Sequence, residues 1–212
     1  MKRFLTILCI VALISISAAP ALANPSIGYV SSTVEVLEIL TDAAHSTSAW
    51  IAEQLTGGKW YLKVIPYNAA MYDNADVKDI ITGVNSDSLV IEPYQFMTSL
   101  KKYQPEDAAQ TVPEHLARYH FVTRFKDLIL TDGTQIVYMH EDDVMSVRAR
   151  MQADTMMGVK KSDLGNYLVM QVNPATGEIF FTAIEEDSFV SKDGSFVTEA
   201  KVLGPFAIIQ KI

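Results

Sequence analysis

The spacing of apolar residues changes once along this chain, near Phe121, from a period close to 3.6 to a period of two. Upstream, Ser32-x-x-Glu35 has the spacing of a capping box, in which each side chain satisfies an amide of the first helical turn. Val36, Leu37, Leu40, Ala43 and Ala44 follow at helical intervals. His45–Ser48 interrupts or restarts that helix, Trp50, Ile51 and Leu55 continue its apolar face, and Gly57-Gly58 closes it. Lys59–Ile65 is rich in aromatic and branched residues and predicts a short strand ended by Pro66. Asp76–Val84 predicts a helix with Val77, Ile80 and Ile81 inward, and Ser88–Ile91 a strand. Pro93 suits the first position of a third helix, Tyr94–Tyr103, that buries Phe96, Met97 and Leu100.

Downstream, Phe121, Thr123 and Phe125 alternate with Val122, Arg124 and Lys126, and Val147, Ala149 and Met151 alternate with Ser146, Arg148, Arg150 and Gln152. Such alternation belongs to strands buried on one face. Asp132-Gly133 and Asp193-Gly194 are tight-turn signals. Asn173-Pro-Ala-Thr-Gly177 combines an Asx side chain, a proline and a glycine free to take positive φ. About six short strands with turns between them imply a sandwich or a partly closed barrel. The fold class expected is α+β: an N-terminal helical α/β part over 24–112, then a C-terminal antiparallel β-sandwich-like domain over 113–212. The two parts can pack as one unit.

Residues 1–23 change the picture, because they are expected to leave. Lys2 and Arg3 precede an apolar run from Phe4 to Ile16, and Ala21-Leu-Ala23 is a small-residue cleavage pattern. The run is too short for a spanning helix. Lipidation at Cys9 is the alternative, but Cys9 lies inside the apolar run. It is the sole cysteine, so the remaining chain has no thiol for a disulfide, a nucleophile or a thiolate metal site. The formal net charge of −8 becomes more acidic without Lys2 and Arg3, which argues against nucleic acid as a partner.

The block Leu168-Val-Met-Gln-Val-Asn-Pro-Ala-Thr-Gly-Glu-Ile-Phe-Phe181, followed by Val202-Leu-Gly-Pro-Phe-Ala-Ile-Ile209, resembles the C-terminal β domain of secreted and cell-surface proteins of Clostridia-like bacteria. Those domains carry a D-P-x-T-G-E turn and a closing L-G-P-F strand. Asn173 stands here where aspartate is usual, and both residues make Asx turns. The resemblance covers roughly the last hundred residues. It implies a secreted β-sandwich and carries no catalytic residues with it.

Candidate chemistry is sparse. His115 and His120 are the only close histidines; His45 and His140 are isolated. Five residues on a helix turn them about 140° apart, and on a strand they fall on opposite faces. Glu141-Asp142-Asp143 and Glu185-Glu186-Asp187 offer carboxylates to Ca²⁺ but lack the loop that wraps the ion, and read as solvated strand ends. Gly194-Ser195 is not within a nucleophile elbow. Neither catalytic nor metal residues, and no cofactor, are therefore expected. The aromatic residues Trp50, Trp60, Tyr61, Tyr67 and Tyr72 gather within two dozen positions and are the candidate ligand contacts, against the plainer reading that they pack between the first helix and the first strand. The expected function is that of an exported, non-enzymatic protein, structural or adhesive, on a cell surface or matrix. A small-ligand or glycan-binding module using those aromatics is the alternative, and a hydrolase the third reading. The expected partner is a protein or cell-wall glycan, or a second copy.

Overall fold

The computed structural model describes residues 30, 32–39, 60–103, 116–137 and 146–212. Residues 1–23, most of the first predicted helix, the acidic run 141–143, Trp50, His45, His115 and His140 lie outside them. Among the described residues there are ten strands and two α-helices. The strands are β1 (Glu35–Ile39), β2 (Tyr61–Pro66), β3 (Tyr119–Phe121), β4 (Lys126–Thr131), β5 (Ile136–Val137), β6 (Val147–Gln152), β7 (Tyr167–Val172), β8 (Ile179–Ala183), β9 (Ser195–Ala200) and β10 (Gly204–Lys211). The helices are α1 (Ala75–Asn85) and α2 (Pro93–Ser99). No helix among the described residues is long and apolar enough to cross a membrane.

All pairings are antiparallel and form two sheets. The larger runs β2-β4-β10-β7-β8, with β3 also on β10 and β5 on β4; the smaller runs β1-β6-β9. Short bridges join the sheets at both corners. Thr33 pairs with Lys63 beside a Val64 N–H bond to the Ser32 carbonyl, and Ile184 pairs with Thr198 beside a Glu185 N–H bond to the Val197 carbonyl. The strands therefore close into a circuit, which hides most of the edges that an open sheet would expose. Strands from residues before and after 113 share both sheets.

Burial follows from this closure. Leu62, Val64, Leu128, Leu130, Val147, Ala149, Met151, Val169, Phe196, Phe206 and Ile208 point into the circuit and fill it. On the outer face of the larger sheet, Phe125, Met170, Val172, Ala207 and Ile209 meet Val77, Ile80 and Ile81 of α1 and Phe96 of α2. The rings of Phe96 and Phe125 stack with centroids 5.0 Å apart. Strands β7 and β10 are thus covered on both faces and read as near-continuous apolar runs, whereas β6 is covered on one and alternates as expected. Val147, Ala149 and Met151 are buried, and Arg148 and Arg150 face outward.

Several predicted elements are found. Strand β2, helix α1 with its three inward residues, and Pro93 at the start of α2 are where the pattern placed them. At the Asn173 turn, Asn173 Oδ1 accepts from the amides of Ala175 and Thr176, and Gly177 has φ of 79°. Asp193-Gly194 closes a tight turn between Val190 and Ser195, with Ser195 N–H bound to the Asp193 carboxylate.

Two predicted elements are corrected. Ser32–Glu35 does not start a helix; Glu35–Ile39 is strand β1. Glu35 lies opposite Arg150 and Glu38 opposite Arg148, with Leu37 skipped by a bulge. The extra residue lets Glu35 and Glu38 share one face although they are three apart, and so imitates a helical period. Arg150 then bonds Glu35, and Arg148 bonds Glu38, across the strands. Ser88–Ile91 is not a strand. Asp87 takes φ of 58° and the Leu89 amide returns to the Gly83 carbonyl, so this backbone closes the C-terminus of α1 instead of joining a ladder.

Where the two sheets meet, polar groups are buried. Gln171 Nε2 donates to Thr182 Oγ1 and to the Glu199 carbonyl, while its Oε1 accepts from Lys201 N–H. Thr182 and Thr198 hydroxyls bond each other, and Thr198 also reaches the Ala183 carbonyl. Gln171→Met would leave the Lys201 amide and the Glu199 carbonyl without this partner, at a cost of about 2 kcal/mol. The expected result is a lower urea midpoint with an unchanged slope; an unmoved midpoint would show that the glutamine does not hold the sheets together.

Candidate functional site

The described candidate aromatics do not share a surface. Trp60 packs against the inner core, while Tyr61, the next residue, is 46% exposed. Tyr67 and Tyr72, both in the segment between β2 and α1, stack with centroids 6.0 Å apart, and Tyr72 is 7% exposed. The Tyr67 hydroxyl donates to the Lys78 carbonyl, and burial pushes its pKa up to about 12.

The carboxylate of Glu185 is engaged by Arg148, whose Nε and Nη2 lie 2.7 and 2.6 Å from its two oxygens. That guanidinium holds Glu185 below the usual carboxylate range. Among the described residues no three metal-ligating side chains come together.

A groove, roughly 100 Å³ in volume, opens on the outside of the larger sheet. One wall is the run Leu89–Glu92, between α1 and α2; the other is the run His120–Arg124, from β3 toward β4. Asn85, at the end of α1, fixes the two walls relative to each other. Its Oδ1 accepts from Phe125 N–H at 2.9 Å and its Nδ2 donates to the Phe125 carbonyl at 3.0 Å. An ion pair between Arg124 and Asp87 ties the rim.

Much of the groove's lining is apolar: Val84, Leu89, Val90, Ile91, Phe121 and Val122. Val90 is 71% exposed, and Leu89 and the neighbouring Tyr94 are exposed as well. Polar groups stand among them. His120 Nδ1 and Arg124 Nε are buried atoms without a hydrogen-bond partner. Glu92 caps α2, its own N–H bonded to Gln95 Oε1; burial pushes its carboxyl up, and His120 pulls it back. The single hydroxyl in the lining, Thr123, accepts from Ile208 N–H and sits in the interior. The described lining thus offers apolar contact surface with hydrogen-bonding atoms set among it.

A second polar centre lies on the same sheet but is closed. Asp127 of β4 is 0% exposed. Its Oδ2 accepts from Asn68 N–H at 2.8 Å and Tyr72 bonds the carboxylate, while Oδ1 has no partner. Burial raises its pKa to about 6. Perturbed carboxylates of this kind mark functional sites or strained structural ones; with no opening to it, Asp127 serves here to pin the Asn68–Tyr72 loop.

The residue pattern of the chain did not single out Asp127, Glu92, Arg124 or Asp87, and it presented His120 only as half of a metal pair. Asp127 had one legible signal, an acidic residue heading the apolar run Leu128-Ile-Leu130. The groove had none, because its walls are about 30 residues apart in the chain. The chain matches no protein-family model, no curated protein and no solved structure.

Proposed function

We propose that this is an exported, non-enzymatic protein, surface- or matrix-associated, that holds a protein partner in the groove between Leu89–Glu92 and His120–Arg124. The observation that carries this is the coincidence of a concave surface with exposed Leu89, Val90 and Tyr94. Solvated apolar side chains gathered at one concavity are a feature of contact surfaces. The filled interior of the strand circuit argues in the same direction, since barrels that carry small ligands keep that space open. Export rests on the Lys2-Arg3 and Ala21-Leu-Ala23 pattern of the leader and on the resemblance of 168–209 to secreted β domains. A glycan-binding role would fall to Tyr61, the one exposed ring among the described candidates.

The test is retention. The mature protein should remain with cell-wall or matrix material, and a photo-crosslinker at Val90 should capture a protein. Leu89→Lys with Val90→Lys should reduce retention at least about tenfold, because each apolar side chain contributes roughly 1–2 kcal/mol when covered. Undiminished retention of the double variant, or a wild-type protein that stays free and uncrosslinked, would refute the reading.

A further inference from the structure

Which class of partner fits the groove follows from how β3 is bonded, on the reading that the groove is the working surface. The register of β3 on β10 sets Phe121 opposite Ile209 and His120 opposite Gln210. Ile212 N–H bonds the Arg118 carbonyl, and Val122 N–H bonds the Ile208 carbonyl. Arg118 and Val122 therefore turn backbone groups toward β10 and the residue after it, and His120, between them and opposite Gln210, does the same by alternation. In an antiparallel pair the residues between them turn N–H and C=O the other way. Phe121 thus directs its backbone groups away from β10. No strand pairs with that side of β3 among the described residues.

Two details identify that side with the groove. Its lining takes Phe121 itself and the residues Val122–Arg124 that bulge out after β3, where the Val122 and Thr123 amides both turn to the Ile208 carbonyl. Further along the same edge, the Asn85 carboxamide bonds both the N–H and the C=O of Phe125. Those are the two bonds a residue of a neighbouring strand would make. The edge is occupied at Phe125 by a side chain that imitates a strand, and the groove begins where the imitation stops. Across it, Leu89–Ile91 is a run of three apolar residues that joins no ladder among the described residues.

We infer that the groove accepts an extended polypeptide segment from another protein, added as a strand at Phe121 with alternate apolar side chains resting on Leu89, Val90 and Ile91. Backbone pairing supplies the affinity of such a contact, and the side chains beside it supply the selectivity. The mixed rim, with Arg124, His120, Asp87 and Glu92, favours polar or hydroxyl side chains at the alternate positions over a run of one charge.

Amide exchange by NMR on the full protein tests this, with a capped Thr-Val-Thr-Val-Thr-Val hexapeptide as probe. In the free protein the Phe121 amide should exchange at least about tenfold faster than those of His120 and Val122. Saturation with the peptide should slow Phe121 by about tenfold or more and leave its two neighbours unchanged. The same peptide N-methylated along one edge should lose the effect. A Phe121 amide already as slow as its neighbours would show the edge covered, and a Phe121 amide indifferent to the peptide would show that strands do not add there; either result overturns the inference. Protection that grows with protein concentration alone would assign the edge to a second copy, and overturns it too. If Leu89→Lys with Val90→Lys abolishes retention while the peptide leaves Phe121 untouched, the groove remains the contact surface and strand addition is wrong. If the peptide protects Phe121 while that variant is retained undiminished, strand addition stands and the groove is not what retains the protein.

Discussion

Gly177→Val should destabilise the protein by about 3 kcal/mol, a fall of roughly 6–12 °C in Tm for a chain of this size. Two separate effects add. Gly177 has φ of 79°, a region that a β-branched residue enters at a cost of about 1–2 kcal/mol. A Cβ there would also sit 2.8 Å from Cγ of Tyr103, well inside contact distance. Tyr103 cannot swing aside freely, because its hydroxyl donates to Asp76 at 2.7 Å. The two effects can be separated. In a Tyr103→Ala background the same substitution should cost about 1–2 kcal/mol less, leaving the backbone strain alone. Equal melting temperatures for Gly177→Val and the parent would mean that the turn is not built as described. Equal costs in the two backgrounds would mean that Tyr103 does not pack on it.

The second large effect is a pH dependence assigned to one carboxyl. Asp127 titrates near 6 when folded, mainly because burial penalises its charged form, against an ordinary value of 3.8. Between those values the folded state holds the extra proton, so this group's contribution to stability falls as pH rises. Below about pH 4 the penalty is absent; above about pH 6 it is fully present. A shift of two units corresponds to about 3 kcal/mol at most. Asp127→Asn is neutral throughout. Its stability relative to the parent should therefore rise by about 2–3 kcal/mol between about pH 4 and about pH 7.5. Urea unfolding of both proteins across that range reads the difference directly. Other titrating groups, such as Glu92 and Glu178, are common to both proteins and drop out. A difference that stays level with pH would show that Asp127 is not charged and buried as described.

The legible and illegible parts of this molecule differ in the range of the forces involved. Turns are local: Asn173 bonds amides two and three residues away, and Asp132 bonds Thr134 and Gln135, so side-chain type alone announces them. Helix α1 is legible because its apolar face repeats at its own period, and β6 because one of its faces meets water. Strand β1 misled because its bulge is defined only against β6. Ser88–Ile91 misled because branched residues can line a groove as well as a sheet.

By itself the sequence determined the change from helical to alternating period, the turns, the inward faces of α1, α2 and β6, and the lack of thiol chemistry beyond Cys9. Those depend on residue type and on spacing within a few positions. Tertiary structure alone decided that the strands close through Thr33–Lys63 and Ile184–Thr198, that Asp127 is sealed beneath Asn68 and Tyr72, and that Leu89–Glu92 faces His120–Arg124 across a groove. Each of these joins residues distant in the chain, where burial and hydrogen-bond satisfaction are settled by the whole fold and leave no periodic trace in the sequence.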